Sequence, residues 1–416
     1  MQGMKMCANK DNAIDKNKKY VCPDKIRIFN QIGIDLVIGK REGPYIYDFD
    51  GKKLIDVHIN GGTYNLGHRH PEILDAMREA LEMPIDIGNH HFPSPLRGEV
   101  AEMLVNLSPG NMKYCVFASG GSEAVDIAIK SARHATKRRK IVSIDNGYHG
   151  RTGLSGAVGN TKNAAFFLSD TPEDSLKVPF NDLSAMKIAL TQEDIAAVIL
   201  ETIPATLGFP LPENGYLAEV KSICEQTGTL FISDEVQTGL SRSGNIWAIE
   251  KFGVAPDIIV TAKGLSGGMY PIAAAILNEK AGSWLLEDGF AHVSTFGGSE
   301  IGCYIAKKVL EIVSRPETLD HVNRISKYLA DSLQTLQEKH SHLVEVRQCG
   351  LIAGLKFEGE IGAVMMSKAL YDNGVWAMFS GYDLSVLQFK PYLFTDKALV
   401  DELMEKLEKS IIQCAS

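Results

Sequence analysis

Short apolar runs recur between about residues 110 and 280, and each ends at a turn or an ionisable residue. Tyr114–Ala118, Lys140–Asp145, Ile195–Leu200, Thr229–Ser233, Asp257–Thr261 and Ala273–Leu277 have the length and β-branched content of buried strands. Helical stretches fall between them. In Glu123–Lys137, for instance, Ala124, Ile127, Ala128 and Ser131 are spaced to share one buried face. This alternation predicts an α/β fold, a doubly wound and mostly parallel sheet flanked by helices. Ahead of it, Gly43–Val57 alternates apolar and polar residues around Asp50-Gly51, a strong hairpin signal. Helices are expected over Glu72–Leu81, with Pro71 in the first turn, and over Pro95–Val105.

Beyond about residue 305 the pattern changes. A helix near Gly302–Val313 leads into helical stretches at Leu319–Glu338, Ile361–Asn373 and Lys397–Gln413, which alternate with short strands at Val344–Val346, Leu351–Phe357 and Val386–Phe389. That is the pattern of a smaller α+β domain. Residues 1 to about 20 lack apolar periodicity and are expected to be a loosely ordered arm. The expected division is an N-terminal arm and hairpin (1–60) contributing to the small domain, a large cofactor-binding domain (61–305) and a C-terminal small domain (306–416).

Composition narrows the function classes. The 416 residues are 45% hydrophobic, enough for a large core, and the net charge of −8 is spread among interspersed acids and bases. Nothing resembles the basic stripe of a nucleic-acid binder. No apolar run approaches the ~18 residues of a membrane span, and the polar N-terminus lacks a signal's apolar core. The seven cysteines are scattered without a CxxC, as expected of reduced thiols in a cytoplasmic protein, and nothing supports a metal site.

The candidate chemistry lies at strand ends. One apolar run finishes at Asp234-Glu235 and another at Ala262-Lys263-Gly264, where open α/β sheets place ligands. An acid and an amine there suit pyridoxal phosphate, which needs a lysine for its aldehyde and a carboxylate for its ring nitrogen. Taken singly, Asp-Glu also suits a helix start and a loop lysine is ordinarily solvated. Ser119-Gly120-Gly121-Ser122-Glu123, between a strand and a helix, reads equally as an anion site and as a tight turn with a cap. Tyr148 and His149 sit on a loop after a strand, where an aromatic can stack on a ring or simply pack. Glu201 ends another strand.

Together the stretches GTYNLGHRHPE, SGGSEAVDIAIKSAR, GYHGRT, the Glu201 segment, ISDEVQTGLSRSG, TAKGLSGGMYP and STFGG resemble the class III, ornithine-type, pyridoxal-phosphate aminotransferases of fold type I, from about Gly43 to the C-terminal helix. The resemblance implies roles. Lys263 would form the Schiff base and then shuttle protons. Asp234 would pair with the pyridinium nitrogen. Gly121 and Ser122 would hold the phosphate, Tyr148 would stack on the ring, and Gln237 would touch the ring hydroxyl with Glu201 nearby. His149 and Val236 would also border the cofactor. Thr295 would reach the phosphate of a neighbouring subunit, so the resemblance implies a homodimer with shared sites, acting on a small-molecule amino donor and a carbonyl acceptor.

Two departures stand out. Where ornithine-type members carry a glutamate after the Glu201 segment, ETIPATLG has Thr206, and where they carry an arginine in LRFxPxL, LQFKPYL has Gln388 with Lys390 two residues on. Joint loss of an ion pair is coherent, because losing one member strands a charge. The chain then either moves a terminal amine or recognises a substrate carboxylate through another residue such as Arg151, Arg242 or Lys390. An aminotransferase is the first expectation. An amino-acid racemase, epimerase or aminomutase on the same scaffold is the second, and a non-catalytic binding protein the third.

Overall fold

The computed structural model describes residues 9–192 and 194–415. Three strands precede the main sheet: β1 (Ile38–Glu42), β2 (Tyr45–Asp48) and β3 (Lys53–Asp56). The main sheet uses β4 (Met112–Ala118), β5 (Lys140–Ile144), β6 (Ser175–Val178), β7 (Ile195–Glu201), β8 (Leu230–Asp234), β9 (Ile258–Thr261) and β10 (Ala273–Asn278). Their order is β4-β10-β9-β8-β7-β5-β6. β6, β5, β7, β8 and β9 run parallel, and β10 lies antiparallel to both β9 and β4.

Both faces of this sheet are covered, which is why its strands read as unbroken apolar runs. Along β8, Leu230 and Ile232 pack with Ile127, Ala128 and Ala132 of the helix Gly121–Thr136, while Phe231 points into the opposite core. That second core takes in Cys303, Ile305, Val309 and Ile312 of the helix Glu300–Val313. The strand period of two thus divides one apolar run between two cores.

The C-terminal part adds β11 (Leu343–Cys349), β12 (Ile352–Phe357), β13 (Val375–Trp376), β14 (Met378–Phe379) and β15 (Val386–Phe389). β11, β12, β15 and β14 form an antiparallel sheet, and β13 runs parallel to β3, tying the N-terminal hairpin to the C-terminal segment. The hairpin turn at Asp50-Gly51 is present, with Gly51 at φ +84°.

The N-terminal arm differs from expectation. Residues 10–20 form a helix, Lys10–Tyr20, followed by Pro23–Gln31. The first helix buries no residue, so apolar periodicity could not reveal it. It is held instead by a side-chain cap from Asn9, by Asp11 at its start and Lys18 and Lys19 at its end, which complement the helix dipole, and by Lys10. The Lys10 ammonium lies 2.8 Å from Asp35, 2.7 Å from Asp48 and 2.9 Å from Asp50. The first eight residues lie outside the described part. Among the described residues no helix is long and apolar enough to cross a membrane.

One close approach joins the main sheet to the C-terminal one. Gly208, at φ +82° in the loop after β7, lays its carbonyl against Gly354 of β12, where a Cβ would collide with that oxygen. Gly354→Ala is expected to cost about 1–3 kcal/mol by overpacking. An unchanged denaturant midpoint would show that the loop yields.

Candidate active site

Adjacent parallel strands bring the first two groups together, because Glu201 and Asp234 are register partners at the ends of β7 and β8. Two residues beyond β9 comes Lys263. Its φ of +41° is rare for a residue with a side chain, and such strain concentrates at functional sites. The glycine-rich loop passes over this lysine: a Cβ on Gly61 would stand 3.4 Å from Lys263 Cε and 3.8 Å from Gln237 Oε1. Lys263 Nζ makes no hydrogen bond or ion pair among the described residues.

The neighbouring acids Asp234 and Glu235 face different surroundings. Asp234 Oδ1 accepts from the Val236 N–H at 3.1 Å, and Oδ2 lies 2.8 Å from His149 Nδ1. Glu235 points away into the core. There it accepts from Thr202 Oγ1 (2.6 Å), Thr238 Oγ1 (2.5 Å) and the N–H groups of Ala248 (3.1 Å) and Ile249 (2.8 Å). It therefore anchors the segment after β8 and does not line the cavity. Glu201 accepts from the N–H groups of Tyr148 (2.9 Å) and Ala205 (3.2 Å).

Burial sets the electrostatics. It lowers the Lys263 amine below its usual range, partly offset by Asp234 and Glu201. It pushes the Glu201 carboxyl up to about 7; the nearby His149 draws it down and Asp234 adds to the rise.

A cavity of ≈ 320 Å³ gathers these groups, and Gly121, Ser122, Tyr148, Val236 and Gln237 complete the expected set along its wall. At one end the helix Gly121–Thr136 begins, with Ser119 and Gly120 leading into it. Gly121, in the first turn of that helix, packs beside Ala262 and Val236, where a Cβ would meet both at ordinary contact distance, 3.4 Å. Bare N–H groups at a helix start, next to a serine hydroxyl, make an anion cradle. Thr63, Ser266 and Ile272 also line the cavity. Sequence reading missed these three because loops with no periodic signature supply them.

Thr295 lies outside this cavity on an exposed turn. The three candidates for a substrate carboxylate separate clearly. Arg242 is fully buried and structural: Nε and Nη2 hold Asn65 Oδ1, and Nη1 holds the carbonyls of Leu351 and Pro391. Burial pulls its guanidinium down to about 9. Arg151 is exposed, 5.3 Å from the Tyr148 ring centre and 3.4 Å from the Tyr382 hydroxyl. Lys390 is fully buried, with its Nζ on Gln388 Oε1. Thr206 reaches the Asn146 carbonyl at 3.4 Å and does not bond to Gln388.

Comparisons with known proteins show the family. The profile of the class-III aminotransferases matches residues 30–411. An uncharacterised aminotransferase of Archaeoglobus fulgidus is 46% identical over 398 residues, 96% of this chain and 93% of its own length. The acetylornithine aminotransferase of Methanocaldococcus jannaschii is 33% identical over 407 residues, 96% and 98% of the two lengths. The solved ornithine aminotransferase of Toxoplasma gondii, with pyridoxal phosphate at partial occupancy in its active site, aligns at a TM-score of 0.88 over 98% of this chain and 95% of its own. At 24% identity that likeness is one of fold.

The raised Glu201 carboxyl makes a pH prediction for the cofactor-free protein. Its folded value of about 7 exceeds its ordinary 4.5, so folded protein keeps a proton that unfolded chain releases. Stability from this group is full below about 4.5 and falls as pH rises to about 7. Between pH 5 and 8 the stability of Glu201→Gln relative to wild type is expected to shift in the variant's favour by about 1–3 kcal/mol. Parallel denaturation curves would refute this.

Proposed function

The chain belongs to the class-III aminotransferases, and on that premise we propose that Lys263 and Asp234 carry a pyridoxal-phosphate-dependent transfer of an amino group from an amino acid or terminal amine to a keto acid or aldehyde. The observation that carries this reading is the unpartnered Lys263 amine in a cavity walled by Asp234 and ended by a helix start. The residues fit the cofactor: an anion cradle for its phosphate, a buried carboxylate for its ring nitrogen, and a buried Gln237 Oε1 without a donor for its hydroxyl. When bound, the cofactor supplies the electron sink for a carbanion at the substrate Cα.

The protein's part is positioning and proton handling. Asp234, held by His149 and the Val236 N–H, keeps a proton on the ring nitrogen. Gly121 and Ser122 would hold the phosphate, and Tyr148, on the same cavity wall, would pack against the ring. Lys263, its amine partly neutral through burial, would move a proton from the substrate Cα to the cofactor C4′ in the first half of the reaction, and from C4′ to the acceptor carbon in the second. Gly61 over its Cε limits its reach.

The same reading includes a homodimer in which Thr295 completes the site of a second copy. It is supported by exposed Phe290, Val293 and Phe296 around that turn. Residues 61–305 form the large unit of this proposal, with 1–60 and 306–416 as its smaller complement. A cytoplasmic location is supported by the described cysteines, all of which are free.

Borohydride reduction of cofactor-loaded enzyme is expected to attach the cofactor at Lys263, read by peptide mass spectrometry, and Lys263→Ala to lose about 10²–10⁴-fold or more in kcat. Attachment at another lysine sinks the assignment. An amino donor alone is expected to change the cofactor's absorbance stoichiometrically. An unchanged spectrum with solvent deuterium entering Cα would instead mark a racemase.

A further inference from the structure

Strand alternation alone would not bring Lys263 to the cavity. Along β9 and into Ala262, successive side chains face opposite sides, so Ala262 lines the cavity while the fully buried Thr261 does not. In extended backbone Lys263 would share the face of Thr261. Yet Ala262 and Lys263, adjacent in the chain, both line the cavity. The chain achieves this by leaving the strand at Ala262, with ψ −141°, and turning left-handed at Lys263, with φ +41°. That turn redirects the Cα–Cβ bond. A residue with a side chain stays in such a conformation only where its surroundings over-determine it.

Ser266 supplies the fastening. It is buried, and its Oγ–H donates to the Lys263 carbonyl at 2.6 Å while Oγ accepts from the Gly268 N–H at 3.0 Å. Its own carbonyl accepts from the N–H groups of Met269 and Tyr270 at 3.0 and 3.2 Å. One residue of the turn Lys263–Ser266 thus gathers the hydrogen bonds on both sides of it. The glycines between and after are wedged against other parts of the chain. A Cβ on Gly264 would meet the Gly62 carbonyl and Leu240 at 3.2 Å, and one on Gly267 would collide with Ile73. Those contacts fix where the turn sits. Among the described residues, the Ser266 hydroxyl is the one side-chain group bonded to the Lys263 backbone.

We propose that Ser266 is the positioning residue for Lys263, its hydroxyl holding the Lys263 carbonyl and with it the left-handed turn that points the amine into the cavity. The assignment rests on Lys263 as the reacting amine and names what keeps that amine in place. Ser266 itself lines the cavity. Its single proton is committed to the Lys263 carbonyl, so it has no donor to offer a phosphate or a substrate. Removing the hydroxyl leaves a carbonyl and an N–H without their partner. The turn then relaxes toward the negative φ a lysine ordinarily adopts, and the amine leaves the cavity wall for water. Burial lowers that amine more than Asp234 of β8 and Glu201 of β7 raise it, and His58 and Lys390 also lie near it. Release into water therefore raises its hold on a proton.

The test reads the amine in cofactor-free protein, by competitive labelling with trace acetic anhydride over a pH series and peptide mass spectrometry, with the exposed lysines as internal standard. Ser266→Ala is expected to slow labelling of Lys263 at about pH 7 by about fivefold or more relative to those lysines, and to move its pH midpoint up. Ser266→Thr, which keeps the hydroxyl, restores both, and Ser266→Cys, a weaker donor of similar size, falls between. In loaded enzyme, the rate at which added pyridoxal phosphate becomes fixable to Lys263 by borohydride drops about tenfold in Ser266→Ala, and kcat falls with KM little changed. Should Ser266→Ala fail to fold, the shift in Ser266→Cys decides the matter. An unmoved rate and midpoint in Ser266→Ala, or a loss that Ser266→Thr does not restore, overturns the assignment while leaving transamination intact. Cofactor fixed at another lysine in the wild type would instead overturn the transaminase reading, and the catalytic meaning of this assignment with it.

Discussion

Everything in the site depends on keeping an amine in a place that disfavours its charge. Lys263 is half-buried on the cavity wall, and the carboxylates that could re-ionise it stand close without bonding to it. A lysine tied to Asp234 would be a structural ion pair. A lysine in water would be protonated and slow to attack. The alternation along β8 prevents the first outcome by binding Asp234 to His149 and the Val236 N–H, and the loop at Gly61 prevents the second by covering Cε.

Much of this could be read from the chain. Buried strands in a parallel sheet are continuous apolar runs, so their ends are visible as the point where an ionisable residue breaks the run, and Glu201, Asp234 and Lys263 were all found that way. The separation of Asp234 from Glu235 was also latent in the period of two, which sends adjacent side chains to opposite faces. Less legible were features that depend on distant partners. The N-terminal helix stands on the three acids meeting Lys10, two of them in the hairpin region and none readable as its partner from spacing. The strand Ser175–Val178 carries the polar Lys177 at the sheet edge and so lacks an apolar signature.

Candidate basic residues show the same limit. Arg151, Arg242 and Lys390 are equivalent as letters, yet one is exposed, one spends its donors on an asparagine and two carbonyls, and one is buried against an amide. Burial and partner geometry separate them, and neither is a local property of the sequence.

The order of the main sheet has a consequence for how the protein matures. The walls of the cavity come from Thr63 through Ile272, and β10, which follows directly after that span, wedges between β4 and β9. Pairings that bridge such long stretches of chain form slowly and late. A ribosome-bound chain ending before β10 would lack the strand that seats between the other two, so β4 and β9 gain their shared neighbour only once synthesis has passed residue 278.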